Sequence, residues 1–212
     1  WVRVHYMYPE SITDSMIEVF AANEKLVNYM DIPIQHINDR ILKLMGRKTT
    51  KEQITNLIEK LRSRIPDLTL RTSLIAGFPS ETEEEFSELL EFIKSTKFER
   101  LGVFAYSQEE NTAAARLPEQ LEESVKIARQ ERAMEAQNEI SAAHQRSKIG
   151  KTVEVLTEGY DEENLMYFGR CAADSIDTTT FFAAEDEVLI GSFVKVKILD
   201  ADSYDCTGVQ VE

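Results

Sequence analysis

Apolar and polar positions divide the chain into a first stretch of alternating strand and helix patterns and a last stretch that is all strand. Residues 1–8 alternate, Trp1/Arg3/His5/Met7 against Val2/Val4/Tyr6/Tyr8, and read as a strand closed by Pro9. Thr13 or Asp14 caps a helix bearing Met16, Ile17, Val19 and Phe20. A second strand falls within 26–35, at about 29–34, and Asn38 opens a short helix with Ile41, Leu42 and Met45 that ends near Gly46. Thr50 and Gln53 form a capping box, followed by Ile54, Leu57, Ile58 and Leu61 at helical spacing, and Pro66 ends that helix. The third strand, 68–76, contains the run Leu74-Ile75-Ala76, which reads as buried on both faces. Gly77 and Pro79 stop it, and a second capping box, Thr82/Glu85, opens a helix with Phe86, Leu89, Leu90 and Ile93 on one face, running to about 97. A fourth strand follows at 101–106. Strands separated by helices in this way predict βαβ units and a parallel sheet.

After Leu117-Pro118 the pattern changes. Residues 119–148 lack Gly and Pro and are rich in Glu, Gln, Ala and Arg, so they predict one long helix. Its apolar positions, Leu121, Val125, Ala128, Met134 and Ile140, are sparse, which fits a half-solvated connecting helix better than a core helix. Beyond Gly150, short strand patterns at 152–156, 166–170, 180–182, 193–199 and 205–211 predict a small barrel of the OB type. The expected fold class is therefore α/β: a partial (βα) barrel with parallel strands, then a long helix, then an all-β OB-like barrel. The expected domains are 1–118, a connecting helix at 119–148, and 149–212.

Composition adds constraints. The chain has 212 residues and a net charge of −14. Residues 148–212 hold 5 Lys/Arg against 14 Asp/Glu, a balance of −9, and the first 147 residues hold 19 against 24, a balance of −5. A tail of that sign repels a phosphate backbone and attracts a basic protein, or serves solubility alone. Cys171 and Cys206 are far apart and match no zinc or iron–sulfur spacing, so they read as free thiols of a reducing, cytoplasmic compartment. His5, His36 and His144 show no metal-ligand pattern. No apolar run is long enough to span a membrane. The chain opens directly in strand-like sequence without a Met, which reads as part of something longer, and leaves the first strand as an edge able to pair or swap with another copy.

In open α/β sheets, ligands bind off the carboxyl ends of the strands. Those ends are Tyr8-Pro9, Ile34-Gln35-His36, Gly77-Phe78-Pro79-Ser80 and Phe104-Ala105-Tyr106-Ser107. None pairs a nucleophile with a base. His36 reads as a general base, as a polar residue at the mouth, or as part of the cap of the Asn38 helix. Gln35 and Arg71 are polar groups on or beside buried strands and need a partner or a ligand. The Gly77 turn allows close backbone approach by a planar or sugar-bearing ligand. Difficult chemistry here implies a cofactor.

Three segments carry a resemblance. Tyr29-Met-Asp-Ile-Pro-Ile-Gln-His36, Arg71-Thr-Ser-Leu-Ile-Ala-Gly-Phe-Pro79 with Glu81-Thr82, and Leu101-Gly-Val-Phe-Ala-Tyr-Ser107 with Glu109, Glu110 and Thr112 resemble the methylthiotransferases of the radical S-adenosylmethionine superfamily. Gln35-His36, Leu101-Gly102-Val103-Phe104 and the acidic tail point to the ribosomal-protein (RimO-type) branch; the sister branch acts on adenosine in transfer RNA. The resemblance implies the last four strand units of a six-strand radical SAM half-barrel, a linking helix and a TRAM domain. It implies an enzyme that uses S-adenosylmethionine and two 4Fe-4S clusters to methylthiolate the β-carbon of an aspartate in a small-subunit ribosomal protein. The three-cysteine cluster loop of the family is not among these residues, so no cofactor is expected bound to this chain and it is expected to be inactive alone. The basic ribosomal protein is the expected partner, held by the acidic TRAM domain; the alternatives are the sister activity on transfer RNA and a non-enzymatic module that binds protein through the acidic barrel. The resemblance places Gln35, His36, Arg71, Ile75, Gly77, Phe104 and Tyr106 at the S-adenosylmethionine cleft or its walls. Ser80 and Asn111 stand where the family often has Gly; Asn tolerates a left-handed turn, and Ser80 offers a helix cap in place of a close ligand approach.

Overall fold

The computed structural model describes residues 1–175 and 177–212. They form two compact units, Val2–Gln137 and Asn138–Glu212, the second grouped with Trp1.

The first unit is a four-stranded parallel sheet of β1 (Val2–Val4), β2 (Leu26–Asp31), β3 (Thr69–Ala76) and β4 (Arg100–Ala105), in that order across the sheet. Between them run α1 (Asp14–Ala22), α2 (Asp39–Leu44), α3 (Lys51–Arg64) and α4 (Glu83–Thr96). Helix starts follow local chemistry. Thr13 rather than Asp14 caps α1, its hydroxyl accepting from the Met16 N–H, and the Asn38 side chain caps α2. Both capping boxes form: the Thr50 and Thr82 hydroxyls accept from the amides of Gln53 and Glu85, whose side chains accept from the cap amides in return.

Strand limits differ from the sequence expectation where the backbone turns. β1 is only three residues long, because Tyr6 takes φ +59° and a short 3-10 turn follows at Pro9–Ser11. β2 sits earlier than expected: Pro33 lacks a ladder donor, and the chain rejoins the sheet only through an isolated parallel bridge between Gln35 and Leu74. The Leu74-Ile75-Ala76 run is not buried on both faces. Leu70, Thr72, Leu74 and Ala76 are buried, while Arg71, Ser73 and Ile75 alternate with them at half exposure. One face of β3 belongs to the core and the other is partly open.

The long helix, α5 (Glu123–Arg146), starts later than expected because Glu119 has φ +56°. Its residues through Gln137 group with the first unit and the rest with the second. The stripe it buries is largely polar: Lys126, Arg129, Ala133, Gln137, Ser141 and Gln145 recur at helical spacing. Val125 and Ile127 lie outside that stripe and are exposed. Partner groups make this possible, as where Gln130 donates to the Val103 carbonyl and Gln137 to the Phe98 carbonyl, each at 2.9 Å.

The second unit is a closed barrel of β5 (Thr152–Asp161), β6 (Met166–Cys171), β7 (Thr180–Ala183), β8 (Phe193–Ala201) and β9 (Cys206–Val211), ordered β5-β6-β7-β9-β8. Among the described residues of this barrel, β7 and β9 pair in parallel and the other neighbours antiparallel. Val155, Cys171, Phe182, Val196, Ile198 and Cys206 pack its core. Closure leaves this sheet without a free edge.

Candidate functional site

Residues at or just past the carboxyl ends of β1, β2 and β3, together with the chain after β4, enclose a cleft of about 890 Å³. Tyr6 and Tyr8 come from the segment after β1, Gln35 from the bridge after β2, Ser73 and Ile75 from the open face of β3, and Phe78 from the turn after it. Met45, Arg47 and Lys48, just past α2, and Ala113 and Ala114 supply the remaining wall. Two non-glycine residues in this wall, Tyr6 and Gln35, have positive φ, of 59° and 71°. Backbone strain of this kind persists where surrounding structure over-determines it, and it concentrates at functional sites. At Gln35 the determinants are visible: its N–H donates to the Ser73 carbonyl at 3.0 Å, and its carbonyl accepts from the Ile75 N–H at 2.8 Å.

Of the seven residues expected at the site, Gln35 and Ile75 line this cleft. Tyr106 lies one layer behind, its ring edge-on to Phe78 with centroids 5.2 Å apart. Burial, and then the charge of Glu109, push its phenol pKa up. Phe104 is in register with Ile75 on β4 and 55% exposed. Arg71 is committed to another group: its Nη1 donates to Asp31 Oδ1 at 2.8 Å. Burial works against the Arg71 charge, but the Asp31 hydrogen bond and carboxylate outweigh it and hold the guanidinium pKa above its ordinary value. Arg3 stacks over Tyr29 beside this pair, 4.5 Å from the ring centroid.

Neither His36 nor Gly77 lines this cleft; His36 sits at the cap of the Asn38 helix, one of its three sequence readings. His36 is fully buried; its Nδ1 accepts the Asn38 N–H at 2.9 Å, so the proton lies on Nε2, which faces Glu81 Oε2 at 3.3 Å. The space over Gly77 is filled. A Cβ there would lie 2.9 Å from the Lys126 Cα, so the close backbone approach this glycine permits is to helix α5 and not to a ligand.

What joins His36 and Gly77 is Glu81, which the sequence reading named in a resembling segment but gave no role. Its buried carboxylate accepts the Gly77 N–H at 3.1 Å to each oxygen and the Arg129 Nη1 at 2.7 Å, and it faces His36. A buried carboxylate needs this number of partners to offset its lost hydration. The hub ties the turn after β3 to α2 and α5, behind the Phe78 wall. The available signal was a charged residue between a β-turn and a helix cap, a position with no local reason for burial. Ser80 does not cap α4. It takes φ +64° and is held by Arg40, which donates to its hydroxyl and carbonyl at 3.0 and 2.7 Å. Asn111 takes the left-handed turn allowed to it, at φ +65°.

Both cysteines belong to the second unit. Cys171 and Cys206 are buried in the barrel. Burial, and then the charge of Asp174, push the Cys171 thiol up to about 12. Among the described residues no group of His, Cys, Asp and Glu is placed to hold a metal ion.

Residues 1–93 match the Radical SAM superfamily and residues 149–211 match the TRAM domain. Over 99% of its length the chain is 49% identical to the ribosomal protein uS12 methylthiotransferase RimO of Clostridium botulinum (strain Eklund 17B / Type B), covering 47% of that protein. It is 45% identical to the protein of the same name from Acetivibrio thermocellus, over 98% of this chain and 46% of that one. The chain thus spans about half the length of the curated relatives it matches. Coproporphyrinogen III oxidase (HemN) from Escherichia coli, a radical SAM enzyme, superposes with a TM-score of 0.55 at 20% identity, over 65% of this chain and 32% of that one; the likeness is one of fold.

Proposed function

Because residues 1–93 match the Radical SAM superfamily and residues 149–211 match the TRAM domain, we propose that the chain supplies part of the cofactor-holding half-barrel and the acidic barrel of a uS12 methylthiotransferase. The reaction is methylthiolation of the β-carbon of an aspartate in that ribosomal protein. The observation that carries this reading is the identity of 45–49% to proteins of that name, sustained from the βα unit through the barrel. We read residues 1–118 as half-barrel, 119–148 as linking helix and 149–212 as TRAM domain.

The cleft fits S-adenosylmethionine in position and in lining. It lies off the carboxyl ends of parallel strands, and it offers aromatic and aliphatic walls with a few polar groups. When bound, that cofactor supplies the hydrogen-abstracting species and the methyl group. In this reading Gln35 and Ile75 touch it directly, through the exposed edge of the bridge after β2 and the open face of β3. Tyr106 and Phe104 extend the wall. Arg71, His36 and Gly77 act from behind: Arg71 neutralises Asp31, and His36 and Gly77 hold the turn through Glu81. The 4Fe-4S clusters do not fit the residues present. The two thiols are buried in the barrel core, and the described residues hold no other donor group of the required kind.

The balance of −9 over residues 148–212 supports a basic protein partner over nucleic acid for the barrel. A cytoplasmic setting follows from that partner, and no helix among the described residues is long and apolar enough to cross a membrane. β1 lies at an edge of its sheet, which supports self-association through that strand; sedimentation as a monomer at high concentration would remove that part of the reading. The central test uses the full-length protein containing these residues, reduced, with S-adenosylmethionine and uS12. Mass spectrometry is expected to find a methylthio group on one aspartate of uS12. Modification of adenosine in transfer RNA, with uS12 untouched, would overturn the reading in favour of the sister activity.

A further inference from the structure

The chain carries an excess of acid, and six of its twelve arginines are tied to it. Arg40, Arg62, Arg71, Arg129, Arg132 and Arg170 each hold a carboxylate. Arg47 does not. It is half-buried, its Nη2 donates to the Pro33 carbonyl at 2.6 Å, and its guanidinium lies 5.5 Å from the Tyr8 ring centroid. Among the described residues neither it nor the exposed Lys48 beside it has a carboxylate partner, and both line the cleft. Glu10, on the same cleft wall, pairs with neither.

The placement of Arg47 is built into the backbone. Helix α2 ends in a Schellman motif: the Gly46 N–H donates to the Lys43 carbonyl at 3.1 Å, and the Arg47 N–H to the Leu42 carbonyl at 2.8 Å. Gly46 takes the left-handed conformation at φ +73° that this motif requires, and Arg47 is the residue that the motif turns off the helix. A guanidinium fixed by a carbonyl on one nitrogen and an aromatic face keeps its other donors for a ligand at little entropic cost.

We propose that Arg47 and Lys48 form a carboxylate-binding pair at the mouth of the cleft, and that this pair orients the cleft ligand through its acid group. The inference rests on the proposed function for its two sources of carboxylate: the side chain of a substrate aspartyl residue, or the amino-acid end of S-adenosylmethionine. A planar guanidinium binds a carboxylate through two parallel hydrogen bonds and gains nothing comparable from a carboxamide. The pair therefore acts as a specificity element.

The test is a titration of the isotopically labelled chain, followed by NMR at the Arg47 Nε–H and the Lys48 amide. The probes are N-acetylaspartate N-methylamide, its asparagine counterpart, S-adenosylmethionine, and 5′-methylthioadenosine, which lacks the amino-acid end. The expected result is binding of at least one carboxylate probe about tenfold or more tighter than its uncharged counterpart. That preference is expected to vanish in Arg47→Gln and to shrink in Lys48→Gln, with the remaining amide spectrum unchanged. Preference within the aspartyl pair assigns the substrate carboxylate, and preference within the nucleoside pair assigns the cofactor carboxylate. Equal response to charged and uncharged members, or no response to either acid, overturns the proposal. Selectivity for the aspartyl probe, with neither nucleoside perturbing the cleft, would leave the pair standing and count against the cofactor reading. Equal binding of both nucleosides with no aspartyl response would do the reverse.

Discussion

At the scale of single residues, two glycines with nearly the same backbone conformation carry different constraints. Gly46 and Gly77 have φ +73° and +76°, but a Cβ at Gly46 meets nothing within 4 Å, whereas one at Gly77 collides with the Lys126 backbone and side chain. Gly46→Ala is expected to cost about 1 kcal/mol, the left-handed penalty alone. Gly77→Ala adds overpacking against a helix and is expected to cost about 3 kcal/mol or more. Urea unfolding of the two variants measures the difference. Glu81 is the other residue on which much depends. Glu81→Gln leaves the buried Arg129 with only the exposed Glu83 carboxylate at 3.3 Å and is expected to cost about 3 kcal/mol by the same measurement. The double variant Glu81→Gln with Arg129→Met removes the orphaned charge and is expected to regain part of that loss; a double variant less stable than Glu81→Gln alone would show that the pair is not the source of the effect.

At the scale of elements, helix starts are set locally and helix faces are not. Thr50 and Thr82 each satisfy an end amide that nothing else reaches, so Thr50→Ala and Thr82→Ala are each expected to destabilise by about 1 kcal/mol, read as a lower denaturation midpoint with an unchanged slope. Both capping boxes were legible because their chemistry spans only four residues. The buried face of α5 was not. Its apolar residues were too sparse to mark a face, and the face that packs presents Lys126, Arg129, Gln137, Ser141 and Gln145, with Arg129 and Gln137 held by a remote turn and a remote carbonyl. Hydrophobic spacing cannot report a face whose burial is compensated by hydrogen bonds from elsewhere in the chain.

At the scale of the whole molecule, charge and ionisation set the response to solution conditions. The unfolded Cys171 thiol ionises near its ordinary value of 9.0, and the native one only at about 12. Between those values the native state holds a proton that the unfolded state has lost, so stability falls as pH rises. The contribution is fully present below pH 9, and above it the loss approaches about 1.4 kcal/mol per pH unit for this one group. Unfolding midpoints measured from pH 8 to 10.5 are expected to fall, and Cys171→Ala is expected to flatten the decline. The excess of acid predicts that transfer RNA fails to bind even at low salt, whereas uS12 binds with an affinity that drops as salt is raised. Fluorescence anisotropy with both partners checks this, and tight RNA binding would count against a protein partner for the barrel.

What the sequence determined by itself was the succession of elements: four strand–helix alternations, a long helix and five short strands. Period, capping residues and turn breakers act over a few positions and need no tertiary partner. It also determined the kinship, since identity of 45–49% to relatives extends over nearly the whole chain. Tertiary structure alone decided which of those residues meet. It filled the space over Gly77 with a helix that begins over forty residues later, turned His36 inward to Glu81, and left Arg47 facing the cleft. Burial and the choice of ion-pair partner depend on what the rest of the chain brings near, and no local pattern encodes that.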